Sequence, residues 1–152
     1  MTASCKLYLD ECLPHQVADA LKLVGFPIEC ALSMGMIGWQ DEDLLPELVR
    51  LGLTWITKDE EARRMHLASS ELRTKLHAIW VRGFDRKSEP MTLRGFHHLM
   101  TNCLHRAEGQ IEHARGALWF ELYFNGERPT LAPLDRQGVF RRLKRRQRRA
   151  SR

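Results

Sequence analysis

Apolar residues recur along this chain with two periods that take turns. In "KLYLDE" Leu7 and Leu9 are two apart, which predicts a short strand ending at Asp10. Pro14 suits a first helical turn, and Val17, Ala20, Leu21 and Val24 then follow at helical spacing up to Gly25. "FPIECAL" reads as a second strand and "SMGMIGWQ" as a loop. Asp41 stands where an N-cap is expected, ahead of Leu44, Leu45, Leu48 and Val49 on one helical face, with Gly52 as the stop. "LTWIT" is a third strand. "DEEARRMHLASSELRTKL" is helical by propensity, with a break expected at Ser69-Ser70. "HAIWVRGF" is a fourth strand ending near Arg82-Gly83, followed by a loop containing Pro90. A long amphipathic helix carries Phe96, Leu99, Cys103 and Leu104 inward. "GALWFELYFNGERPTLAPL" reads as strand, turn at Asn125-Gly126 and a further extended piece.

Strands that alternate with helices predict an α/β fold of three layers, a central mostly parallel sheet flanked by helices. In such folds functional groups gather at the carboxyl ends of the strands. Asp10, Asp41 and Asp59 all fall there, or at the start of the following helix. Three carboxylates at one sheet edge repel one another, and oxygen ligands of this kind select Mg²⁺ or Mn²⁺. Such an ion activates water and stabilises the leaving oxygen of a phosphodiester. Thr57 is placed to hydrogen-bond a carboxylate or a water, and Lys58 to balance charge or touch a phosphate. Taken singly, each acid has a structural role open to it, as a helix cap or a first-turn residue complementing the helix dipole.

Charge separates the chain into two parts. Nine of its 24 Lys and Arg lie in residues 136–152, a stretch without an acid. The remaining 15 face 19 acids, so residues 1–135 carry about −4. The expected organisation is one domain over 1–135 and a basic, flexible tail over 136–152. Arg141, Arg142, Lys144, Arg145 and Arg146 are the candidates for nucleic-acid contact, because neutralising phosphates needs such a cluster. Val139, Phe140 and Leu143 fall on one side of that tail, which suits a short helix on a partner or on nucleic acid. No apolar run reaches the ~20 residues of a membrane span, and "MTASCKLYLDECL" lacks a signal peptide's basic and apolar regions. The expected compartment is the cytoplasm, and the four cysteines read as reduced thiols.

The motifs "LYLDECLP" (7–14), "DEDLLPELVRLG" (41–52) and "TWITKD" (54–59) together resemble the PIN-like nucleases, especially relatives of VapC-type toxins. The resemblance spans roughly residues 6 to 84. It implies a Mg²⁺-dependent ribonuclease with Asp10, Asp41 and Asp59 as metal-binding and catalytic acids and Glu11 beside them. It also implies the toxin role of a toxin–antitoxin pair, with an antitoxin protein as partner. The broader family carries a further acid on an intervening helix; here residues 15 to 40 offer Asp19 and Glu29, so Glu42 or Asp43 would have to complete the set. The alternative is a non-catalytic RNA-binding or protein-interaction module on the same fold. A phosphoacceptor receiver domain fits less well, because strand four ends "WVRGFD" and no Lys-Pro follows.

Other residues have simpler readings. His97, His98, His105 and His113 suit a half-exposed helix face. Trp39 either lines a cleft or stacks a base. Arg82 either holds a phosphate or pairs with an acid. Related proteins often form homo-oligomers, and the apolar stretch 116–124 is either such an interface or a sheet edge buried within the chain.

Overall fold

The computed structural model describes residues 6–84, 91–125 and 128–134. Six strands form one sheet: β1 (Lys6–Leu9), β2 (Ile28–Cys30), β3 (Leu53–Thr57), β4 (Ala78–Arg82), β5 (Trp119–Asn125) and β6 (Arg128–Leu134). The order across the sheet is β2-β1-β3-β4-β5-β6. The first five are parallel, and β6 runs antiparallel to β5 at the edge. The connections are α1 (His15–Leu23), α2 (Ala31–Met34), α3 (Asp41–Leu51), α4 (Glu60–Ala68), α5 (Ser70–Lys75) and α6 (Leu93–Glu112). The α/β architecture with a mostly parallel sheet is therefore as the alternation predicts. The Pro90 loop, the turn at Gly126, Cys5 and the whole of 136–152 lie outside the described residues.

Two periods of two give the sheet its faces. Leu7, Leu9, Ile56, Ile79, Val81, Phe120 and Leu122 point to one side, where α1 and α6 cover them. Tyr8, Trp55, Ala78, Trp80 and Trp119 point to the other, under α3, α4 and α5. The first face is aliphatic with Phe; the second carries three indoles. Burial on both faces is what a parallel sheet requires, and it supplies the main stabilisation at roughly 25 cal/mol per Å² of apolar surface removed from water.

Local chemistry sets the boundaries. Gly52 closes α3 in a left-handed conformation, φ +68°, which costs an L side chain energy but not glycine. Ser69 ends α4 and caps α5 by accepting from Leu72 N–H, which realises the break expected at the serine pair. The strand expected over "FPIECAL" stops at Cys30, because Cys30 and Ser33 form a reciprocal capping box that starts α2 at Ala31, within the expected strand, and carries it to Met34 in the expected loop. Asp41 is not the N-cap of α3. Gln40 is, still extended at ψ 151°, with its carbonyl accepting from Leu44 N–H at 2.9 Å; Asp41 is the first helical residue.

The stretch 116–124 contributes an inner strand rather than a free surface. β5 is hydrogen-bonded on both sides, and Trp119, Phe120 and Leu122 are buried within the chain. Cys12, Cys30 and Cys103 are free thiols.

Candidate active site at the carboxyl edge of the sheet

Asp10, Thr57, Trp80 and Glu121 form one row across the sheet, all on the indole-bearing face. Leu9 pairs with Ile56, which brings Asp10 beside Thr57; Thr57 pairs with Trp80, and Trp80 with Glu121. Asp10 N–H donates to Ile56 O at 2.9 Å, so the ladder holds the residue one step beyond the strand.

The Asp10 carboxylate is buried and well supplied with donors. Thr57 Oγ1 donates to Oδ2 at 2.7 Å, Glu11 N–H donates to Oδ1 at 2.9 Å, and Trp55 Nε1–H makes a long 3.4 Å contact with Oδ2. Burial pushes its pKa up, these three bonds pull it down, and the charge of Asp59 pushes it up again; the net direction is upward. Thr57 is itself fully used. Its proton goes to Asp10, and its oxygen accepts Asp59 N–H at 3.1 Å. The Cys12 thiol, 3.5 Å from the same oxygen, is left as a donor to it. One hydroxyl thus fixes both the Asp10 side chain and the Asp59 backbone.

Thr57→Val removes that donor at constant shape. It is expected to cost about 1–3 kcal/mol, because Asp10 Oδ2 then keeps only the long indole contact in a buried site. Thr57→Ser keeps the hydroxyl and should cost less than half as much. Urea unfolding of the two variants at neutral pH checks this; equal loss in both would remove the hydroxyl from the account.

Asp59 caps α4. Its Oδ1 accepts from Glu61 N–H at 2.9 Å and Ala62 N–H at 3.2 Å, so Oδ2 takes no part in the cap. Asp41 is half-buried at the start of α3. Burial raises its pKa first, then the charges of Asp59, Asp10, Glu42 and Glu11, in that order. The three acids expected to act together are thus within electrostatic reach of one another, with Asp59 the strongest charged neighbour of Asp41. Glu11 has a structural partner of its own: its Oε2 accepts Gly38 N–H at 3.1 Å, tying down the loop that carries Trp39, which is 41% exposed.

The supporting residues divide. The Lys58 ammonium sits 4.6 Å from the centre of the Phe84 ring, and its backbone N–H donates to the Cys12 sulfur. Arg82 pairs with the fully buried Glu121, an acid on β5 far along the chain, and not with Asp10, Asp41 or Asp59. Glu42 is exposed in the first turn of α3 beside Asp41, as is Asp43. Neither acid from the 15–40 region joins the group. Glu29 is held by Lys22 at 2.6 Å and Ser33 at 2.7 Å, which lower its pKa, and Asp19 is exposed on α1. Arg141, Arg142, Lys144, Arg145 and Arg146 lie outside the described residues.

Among the described residues no three His, Cys, Asp or Glu side chains stand close enough together to hold a metal ion unaided. Mg²⁺ does not ask for such a cage: it commonly takes one or two carboxylates, several waters and a substrate phosphate. Asp41 and Asp59 are hard oxygen donors that suit that pattern, with Asp10 behind them.

A buried group that periodicity did not reveal lies beneath the same face. His66 on α4 is fully buried, with its ring edge-on to Trp55, Trp80 and Trp119 at centroid distances of 5.7, 6.1 and 5.4 Å. Nε2 lies 3.1 Å from Leu72 O, which makes it the protonated nitrogen, since a carbonyl only accepts. Nδ1 has no partner. Burial lowers the His66 pKa to about 4. Arg63, one turn earlier, stacks its guanidinium 4.3 Å from the Trp80 ring centre. The sequence signal for this cluster was a His at Leu-like spacing within α4. The histidines of α6 behave as a half-exposed face, with His105 against Phe26 at 4.8 Å.

Compared with protein-family models, curated proteins and solved structures, the chain matches none. Among the described residues no helix is long and apolar enough to cross a membrane.

Proposed function

We propose that this chain is a Mg²⁺- or Mn²⁺-dependent ribonuclease of the PIN-like class, acting in the cytoplasm as the toxin of a toxin–antitoxin pair. The observation that carries the reading is the electrostatic coupling of Asp41 to Asp59 and Asp10, two acids at the ends of β1 and β3 and a third at the start of α3. Asp41 and Asp59 would hold a divalent cation, which would supply activation of a water and charge stabilisation at the scissile phosphate. The chain's own groups do the rest. Asp41 and Asp59 offer the exposed oxygens. Thr57 orients Asp10 and fixes the turn that presents Asp59. The basic residues 141–146 draw RNA toward an acidic edge that would otherwise repel it. The toxin role and the antitoxin partner rest on the motif resemblance alone.

A second reading, a non-catalytic RNA-binding or interaction module, is favoured by a specific observation. Both Asp10 oxygens and Asp59 Oδ1 already accept hydrogen bonds, as purely structural acids would.

The two part in one assay. Labelled RNA is incubated with wild type and Asp10→Asn across a Mg²⁺ and Mn²⁺ titration, with chelator controls. Metal-dependent cleavage by wild type that Asp10→Asn lacks supports the nuclease. Salt-sensitive RNA binding with no cleavage and no response to metal supports the module. Growth arrest on expression of wild type, absent in Asp10→Asn, is the corresponding test of the toxin role.

A further inference from the structure

A groove of about 260 Å³ runs between α3 and the α4–α5 pair, on the outer side of the indole-bearing layer. Its apolar walls come from Pro46, Val49, Met65 and Leu72, and its two charged lining residues, Glu42 and Glu71, are both acids. Pro46 adds a third acceptor. Lacking an N–H, it gives no helical hydrogen bond to the Glu42 carbonyl, which is thus left with acceptor capacity beside the Glu42 carboxylate. Glu71 is paired with Lys75 at 3.2 Å on the exposed surface of α5, a contact worth little and easily exchanged. An apolar trough with acidic acceptors in its lining fits a short amphipathic helix with cations flanking its apolar side.

The chain contains such a segment, and the topology brings it near. Val139, Phe140 and Leu143 share one helical face and are flanked by Arg141, Arg142 and Lys144. The last described residue, Leu134, pairs with Trp119 on β5. The Trp119 indole N–H donates to Leu76 O at 3.3 Å, immediately after α5. The chain therefore leaves the sheet beside the carboxyl end of α5. From Leu134 to Val139 an extended chain covers about 16 Å, while the six residues of α5 span about 9 Å.

We infer that the segment Val139–Leu143 of the same chain docks in the α3–α5 groove, with Phe140 and Leu143 against Val49, Met65 and Leu72 and its cations at Glu42 and Glu71. Docking of this kind does not depend on whether the acids cleave RNA.

The test uses the full chain with the photo-crosslinking residue p-benzoylphenylalanine at position 140. Irradiation is followed by peptide mapping and separation by mass. The expected adducts join position 140 to peptides within residues 42–72 at monomer mass. The double charge reversal Glu42→Lys with Glu71→Lys, at two exposed positions that leave the core untouched, should reduce them about tenfold, equivalent to ~1.4 kcal/mol of docking. Circular dichroism verifies that the fold is kept. Adducts at dimer mass would assign the groove to a second copy's segment and overturn the inference. Adducts scattered over other surfaces, no adducts, or adducts indifferent to the charge reversal would overturn it too.

Discussion

Asp59→Asn is expected to abolish metal-dependent RNA cleavage while leaving the melting temperature close to wild type. Asparagine is as good an N-cap as aspartate, so the bonds from Glu61 and Ala62 N–H survive the exchange. Only the charge is lost, which after burial is the largest influence on Asp41. Turnover should fall by about 10²- to 10³-fold, the scale on which one electrostatic group in a site acts. Asp59→Ala removes charge and cap together. It should lose the same activity and also about 1 kcal/mol of stability, or ~2–4 °C in a chain of this size. The pair therefore separates two roles that one substitution would confuse. Cleavage retained by both variants would leave Asp59 as a helix cap, and the basic segment would become the main lead to function.

The second large effect is on stability in mild acid, and it comes from His66. Its ordinary pKa of 6.5 applies to the unfolded chain, and its folded value is about 4. Between those values the unfolded chain binds a proton that the native state does not. Stability therefore rises with pH across the window, and is lost as pH falls from 6.5 toward 4 at about 1.4 kcal/mol per pH unit. The total is roughly 3 kcal/mol, a large part of what a domain of this size possesses. Asp10 and Asp41, whose folded values are raised, act in the opposite sense. Above the unfolded carboxylate value they cost stability as pH rises. The difference between wild type and His66→Gln cancels those contributions. Chemical denaturation at pH 7, 6 and 5 should show the wild type losing stability faster than the variant. Parallel curves would mean that His66 has the same pKa in the folded and unfolded chain, which would overturn the prediction.

What the sequence disclosed and what it hid follow from the range of the forces involved. The alternation of periods is local, so β1, α3, β3 and β4 were legible within a residue or two. The Ser69 boundary was legible because capping is a contact between near neighbours. Asp10 and Asp59 stood out because each follows an apolar run that must end at a sheet edge. Pairings across the sheet left no such trace. The partner of Arg82 is Glu121, thirty-nine residues on, and only the β4–β5 register brings the two together. Asp41 read as a cap because its composition suits one; the backbone stays extended one residue less than that reading needs. The burial of His66 was hidden by its own helix, whose exposed acids and arginines mask a position enclosed by residues of three distant strands. Nothing in the local pattern marked 116–124 as interior rather than as an interface; that depended on β6 returning alongside it.

The enclosure of His66 also gives the protein an optical probe of its own. Three of the four tryptophans meet the edge of one imidazole, and the fourth, Trp39, is on the surface. A protonated imidazole quenches indole emission by electron transfer, whereas the neutral ring does so weakly. The blue-emitting, buried population should therefore dim as His66 gains its proton, while the red-emitting Trp39 does not follow it. Intrinsic fluorescence, resolved by wavelength, thus reads the state of the layer beneath α4 without any label, and α4 is the helix whose first turn Asp59 holds.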